Sequence, residues 1–141
     1  EFCQSKKGVT EHFPFDEDTL VFKVGGKMYA LSSLLQWEKG EPKVNLKCNP
    51  DYALELRAQY IEVQPAFHMS KVHWNTVAIN GEVSDKLVKQ WIDDSYDLVF
   101  KSLTKKIQSE ILADFVVLLA VKWAFCIVCE PIMIWKMPSE L

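Results

Sequence analysis

Hydrophobic and polar residues alternate in three stretches of this chain, and alternation sorts a strand into two faces. Thr19 to Leu31 holds two β-rich runs on either side of Gly25-Gly26, a pair able to take the positive φ of a tight hairpin turn. The period of two puts Phe22, Val24, Met28 and Ala30 on one face and Val21, Lys23, Lys27 and Tyr29 on the other. Lys43 to Cys48 alternates strictly, with Val44, Leu46 and Cys48 towards the core and Lys43, Asn45 and Lys47 away from it. Trp74 to Ile79 reads as a further strand. Asn75, Val77 and Ile79 share one face, and Trp74, Thr76 and Ala78 share the other. Asn80-Gly81 then signals a turn.

Helical spacing takes over in two places. Asn49-Pro50-Asp51 is a helix start, with Asn as N-cap, proline at the first helical position and an acid in the first turn. The helix is expected to reach about Tyr60, with Leu54, Ala58 and Ile61 as its buried stripe, before Gln64-Pro65 ends it. Ser84 caps a second helix, expected over Asp85 to Lys106, whose apolar face is Leu87, Val88, Trp91, Ile92, Val99 and Leu103 with Leu98 beside it. Lys105-Lys106 suits the negative end of its dipole. Residues 1–18, with Pro14 among Glu11, Asp16, Glu17 and Asp18, read as an acidic, solvated loop.

From Ile111 to Trp135 the chain is apolar nearly all round, interrupted by Asp114, Lys122 and Glu130. Three readings of this stretch stand side by side. It is a packing helix or extra strand, a segment foreign to the domain, or a membrane anchor. Lys122 near its middle opposes the last by about 2.5–3.5 kcal/mol, and a membrane partner is not expected. The expected organisation is one domain over residues 1–110 and an apolar tail over 111–141.

Composition narrows the chemistry. A chain of 141 residues with 49% apolar and 25% charged residues suits one globular domain. Its net charge of −3 excludes a strongly basic nucleic-acid binder overall while permitting a local patch. Cys3, Cys48, Cys126 and Cys129 lack the spacing of a disulfide scaffold, and no secretory signal is evident, so the expected compartment is cytoplasmic with reduced thiols. Cys126-x-x-Cys129 is a single pair, short of the roughly four ligands of a structural zinc site.

Catalytic signatures are missing. No Gly-x-Ser-x-Gly elbow accompanies His12, His68 and His73, and Gly25-Gly26 fits a hairpin tip better than a phosphate loop. His68 and His73, five apart in an extended stretch, point to opposite faces and make a poor metal pair. No cofactor and no enzyme activity are expected. Residues 20–48 instead carry five lysines against two glutamates, a local +3. Lys23, Lys27, Lys43 and Lys47, with Tyr29 and Asn45, fall on the non-core faces of three strands, and Lys71, His73 and Trp74 could extend that surface. Lysines supply phosphate contacts, while aromatics and amides stack on or read bases. Weak, salt-sensitive DNA binding by these residues is the expectation; the alternative is a protein-interaction module that docks a partner through the apolar tail or the Trp74 surface.

With these residues laid out, the chain resembles the MmcQ/YjbR family of small bacterial proteins over about residues 3 to 106. The resemblance rests on Gly8-Val-Thr-Glu-His-Phe-Pro-Phe15, Val21-Phe-Lys-Val-Gly-Gly-Lys-Met-Tyr-Ala-Leu31 and Val44-Asn-Leu-Lys-Cys48 followed by Pro50. It continues through His68-Met-Ser-Lys-Val-His-Trp-Asn-Thr-Val77, Ser95-Tyr-Asp-Leu-Val99 and Leu103-Thr-Lys-Lys106. The resemblance implies an α+β fold, an antiparallel sheet with flanking helices in a CyaY-like or double-wing two-layer domain. It implies DNA binding and brings no catalytic residues. The tail from Ile111 matches nothing in it.

Overall fold

The computed structural model describes residues 1–128. Six strands, β1 (Val9–His12), β2 (Thr19–Val24), β3 (Lys27–Ser33), β4 (Lys43–Lys47), β5 (Val63–Pro65) and β6 (Trp74–Ala78), make one antiparallel sheet in the order β1-β2-β3-β4-β6-β5. Four helices accompany it: α1 (Leu34–Glu38), α2 (Pro50–Gln59), α3 (Asp85–Lys101) and α4 (Lys105–Val128). The α+β class is as the family resemblance implies, and the hairpin at Gly25-Gly26 and the faces of β4 and β6 are as the alternation predicts. Both hairpin glycines have positive φ, +55° and +79°. A Cβ on Gly25 would lie 2.6 Å from a Leu103 methyl, so a larger residue there would push away the chain that follows α3.

The α3 helix lies across β2, β3 and β4 on one side of the sheet. Its N-cap Ser84 accepts the Leu87 N–H, and Val88, Trp91, Ile92, Tyr96 and Val99 face inward. They meet Phe22, Val24, Tyr29, Val44, Leu46 and Val77 of the sheet in the main core. The N-terminal segment closes one edge. Tyr29 donates its hydroxyl to the Cys3 carbonyl at 2.6 Å, and Tyr96 donates to that of Lys7 at 2.7 Å. Burial pushes the Cys3 thiol up to about 11, which makes it an inert packing group.

Five expectations are corrected. Residues 9–12 are a strand rather than loop, because β1 is an exposed edge on which only Val9 packs against the core. The short β5 over Val63–Pro65, read from sequence only as a helix end, adds a further edge beside β6. Tyr29 and Met28 exchange the faces that strict alternation assigns them. Phe22 pairs with Ala30 and Lys23 with Met28, so Tyr29 is the extra residue of a bulge and its ring turns to the helix side. In α2 the buried residues are Ala53 and Leu56, whereas Leu54 and Ile61 are exposed. The helix is rotated because Arg57 bonds inward, from Nε to Asn75 Oδ1 at 2.7 Å and from Nη2 to the Lys71 and Trp74 carbonyls. The long C-terminal helix breaks at Ser102, and Thr104 Oγ1 accepts the Ile107 N–H to start α4.

The first turns of α4 belong to the packed body. Ile107 and Ile111 lie against the main core, and Gly8 abuts Ile111. Farther on, Leu112, Val116, Val117 and Leu118 are exposed. No helix among the described residues is long and apolar enough to cross a membrane. The end of the apolar stretch, with Cys129 of the Cys126/Cys129 pair, lies outside the described residues.

Candidate functional site

The sheet face opposite α3 is only partly covered. Val21, Leu31, Ala66 and Trp74 form a small second core there, with Met28 and Met69 packed against it. The segment from Ala66 to His73 arches over this cluster. Cross-strand pairing identifies the other side chains on the same face, since paired residues share a face. Lys23 pairs with Met28, Lys47 with Trp74, and Asn45 with both Leu31 and Thr76. Lys43, two residues from Asn45, shares its side. Among the described strand positions on this face none is acidic.

The residues nominated from sequence divide three ways. Lys23, Lys43 and Lys47 are brought together on this open face. Lys71 and His73 are exposed on the arching segment at its margin. Lys27 and Trp74 drop out of the surface. Lys27 turns to the helix side, where its Nζ donates to the Ser102 carbonyl at 3.1 Å and to its hydroxyl at 3.2 Å, at the negative end of α3. Trp74 is 7% exposed and fills the second core. Tyr29, nominated as the aromatic of this face, is wholly buried against the helices.

Other aromatics take its place. A groove of about 710 Å³ runs along the open face beside the small core. Its floor includes Asn45, Thr76, Gln64 and Lys43, and its walls include Phe15 and Phe67. Phe15 is 62% and Phe67 75% exposed. His68 lies beside Phe67, ring centroids 4.0 Å apart, with φ at +60°, a left-handed conformation uncommon outside glycine. Sequence reading missed Phe15, Phe67 and Gln64. They sit in or next to loops, and only the closing of the sheet brings residues 15, 64 and 67 to one groove.

The acids at its rim are engaged. Asp16 Oδ1 accepts the Thr19 and Asp18 N–H groups at 2.5 and 3.0 Å, and the Thr19 bond in particular holds its carboxyl below the usual carboxylate range. Asp18 accepts from Ser33 Oγ and from the Leu35 N–H, both at 2.6 Å, at the start of α1. Glu62 Oε1 accepts the Glu82 N–H at 2.8 Å, and Glu41 is 3.8 Å from Lys43 Nζ. No group of histidines, cysteines and acids among the described residues could hold a metal ion. A smaller hollow of about 160 Å³ lies on the other side of the sheet between α2 and α3, lined by Tyr52, Leu56, Trp91 and Leu98. Cys48 borders it, and burial raises its thiol pKa as well.

Comparison with known proteins adds kinship to this geometry. Residues 4–98 match the family model YjbR. The chain is 38% identical over 99 residues to the uncharacterized protein YbdF of Escherichia coli O157:H7, a match covering 70% of this chain and 79% of that one. It is 30% identical over 96 residues to the uncharacterized protein YjbR of Escherichia coli K12, covering 68% and 79%. Among solved structures, a Deinococcus radiodurans protein superposes with a TM-score of 0.70 at 37% identity, covering 78% of this chain and 82% of that one. A Pseudomonas syringae protein superposes with a TM-score of 0.58 at 30% identity, covering 69% and 92%.

Proposed function

The chain belongs to the YjbR family, and on that footing we propose that it is a non-enzymatic, cytoplasmic DNA-binding protein that engages DNA through its open sheet face. One observation carries the reading. Lys23, Lys43 and Lys47 project from a face whose described strand positions hold no acid, beside a groove walled by exposed aromatics. Neighbouring strands are about 4.8 Å apart and strand residues about 3.4 Å, so the attachment points of the three lysines lie roughly 10–20 Å from one another. That span suits several phosphates of one backbone. Three phosphate contacts give a log–log salt slope of about −2 to −3, so binding is weak and is lost as salt rises.

The test is a DNA titration in about 50 mM salt, where even non-specific binders engage at tens of micromolar or below. The wild-type chain is expected to bind, and the triple reversal Lys23→Glu, Lys43→Glu, Lys47→Glu to abolish binding. Lys27→Gln, which touches only the end of α3, is expected to leave it unchanged. Absence of binding by the wild-type protein at tens of micromolar removes the proposal.

A second reading, docking of a protein partner, is favoured by α4. Leu112, Val116, Val117 and Leu118 stand exposed on the part of the helix beyond Ile111. The Trp74 surface offers nothing to it, because that side chain is buried. A chain ending at Ala113 keeps the Ile107 and Ile111 contacts. Docking through the tail predicts that light scattering finds an assembly for the full-length chain that the shortened one lacks. Monomers in both cases exclude self-association through α4.

A further inference from the structure

We propose that the open-face groove takes unpaired bases of single-stranded DNA, favours bases that present carbonyl oxygens, and reads them with Asn45. This rests on the DNA-binding reading and goes beyond it in naming the strand form, the base class and the residue that discriminates.

The argument starts from which polar atoms on the groove floor are already committed. Asn45 Oδ1 accepts the Thr76 hydroxyl at 2.5 Å across the β4–β6 pair. That bond occupies one lone pair of the amide oxygen and sets the amide's orientation, leaving both Nδ2 hydrogens as donors. Lys43, two residues earlier on the same face, adds a second donor. Gln64, opposite Thr76 on β5, is anchored through its nitrogen instead: its Nε2 donates to the Ile61 carbonyl at 2.9 Å, leaving Oε1 as an acceptor beside one remaining Nε2 hydrogen. The floor therefore offers donors on β4, and an acceptor with a donor beside it on β5.

Base edges differ in how they meet such a floor. Thymine O4 and guanine O6 accept hydrogen bonds, whereas adenine and cytosine present amino donors at the corresponding position. A donor such as Asn45 Nδ2 favours the carbonyl bases. The walls fit the same ligand. Phe15 and Phe67 expose most of their side chains to water at the margins of the groove, and exposed aromatic rings are stacking platforms for unpaired bases. In a duplex those ring faces are stacked on one another and the base edges are paired. A groove lined in this way has most to gain from a single strand.

The experiment is fluorescence anisotropy of labelled dT15, dA15 and the dT15·dA15 duplex with the full chain in about 50 mM salt. Wild-type protein is expected to bind dT15 about tenfold more tightly than dA15 and more tightly than the duplex. Because dA15 stacks on itself, the deciding quantity is the change in the dT15/dA15 ratio on substitution. Asn45→Ala should bring that ratio close to one while changing dA15 affinity by less than about threefold. Phe15→Ser combined with Phe67→Ser should weaken both single strands about tenfold or more and leave the ratio in place. A ratio unmoved by Asn45→Ala, or a duplex bound as tightly as dT15, overturns the inference and leaves the DNA-binding reading standing. Displacement of dT15 by micromolar thymidine monophosphate also overturns it, by making the groove a nucleotide pocket. Failure of all three DNA probes to bind removes the underlying reading instead.

Discussion

Replacing Trp74 by alanine is expected to destabilise the domain by about 3–5 kcal/mol, the range for deleting a buried aromatic side chain. The whole stability of a domain this size is about 5–15 kcal/mol, so the variant should be partly unfolded at ambient temperature or close to it. The indole forms the second core with Val21, Leu31 and Ala66, on a face where little other apolar mass is available. Its removal would take away the apolar support that Ala66 and Met69 of the covering segment pack against, while the backbone bonds at this position, Ala66 N–H to the Trp74 carbonyl at 3.1 Å and Arg57 to the same oxygen at 3.2 Å, would be kept. Urea titration measures the loss as a lower midpoint. Trp74→Phe, which keeps a ring in place, should lose less than half as much. The comparison also separates packing from recognition. A residue that binds DNA directly would leave the midpoint unchanged and weaken the complex, whereas Trp74→Phe is expected to move the midpoint and leave the affinity of the folded protein intact.

The second large effect is predicted at Ser95, a small polar residue in the middle of the apolar face of α3. It is fully buried. Its hydroxyl donates to the Tyr29 carbonyl at 2.6 Å and accepts the Lys47 N–H at 2.8 Å. These two backbone groups belong together for a reason. Ala30 pairs with Leu46, so continued pairing would set Tyr29 opposite Lys47, but the bulge at Tyr29 ends the β3–β4 ladder there. The serine hydroxyl bridges the gap the bulge opens and ties α3 to both strands. Ser95→Ala strands a buried donor and a buried acceptor, each costing about 1–3 kcal/mol, for a total loss of about 2–6 kcal/mol. Faster hydrogen exchange at the Lys47 amide would locate the defect. A change below about 0.5 kcal/mol with Lys47 still protected would show that the bridge contributes nothing.

These two residues also mark where sequence reasoning reached its limit. Alternation assigned Trp74 to the face away from the main core, which is correct, but a face with no helix on it looks solvated until a loop is seen to cross it. Ser95 interrupts an apolar stripe and carries no signal that it completes a broken ladder. The same bulge defeated the assignment of Tyr29: one extra residue inverts the faces on its strand, and nothing in Lys-Met-Tyr-Ala announces it. The α2 stripe failed differently. Leu54 and Ile61 are apolar and exposed, while Arg57 turns inward because three acceptors await it.

What the sequence determined by itself was local or periodic. The hairpin follows from two adjacent glycines, the starts of α2 and α3 from Asn49 and Ser84, and the faces of β4 and β6 from uninterrupted alternation. The resemblance to the family could be read from the order of its motifs. What only the tertiary structure decided was which polar groups meet. It withdrew Lys27 to the end of α3, kept Lys23, Lys43 and Lys47 on one face, and gathered Phe15, Gln64 and Phe67 to the groove beside Asn45 and Thr76. The physical reason is that periodicity fixes a side chain's direction relative to its own strand. Its neighbours are set by strand order, by a single bulge and by loops whose contacts lie tens of residues away along the chain.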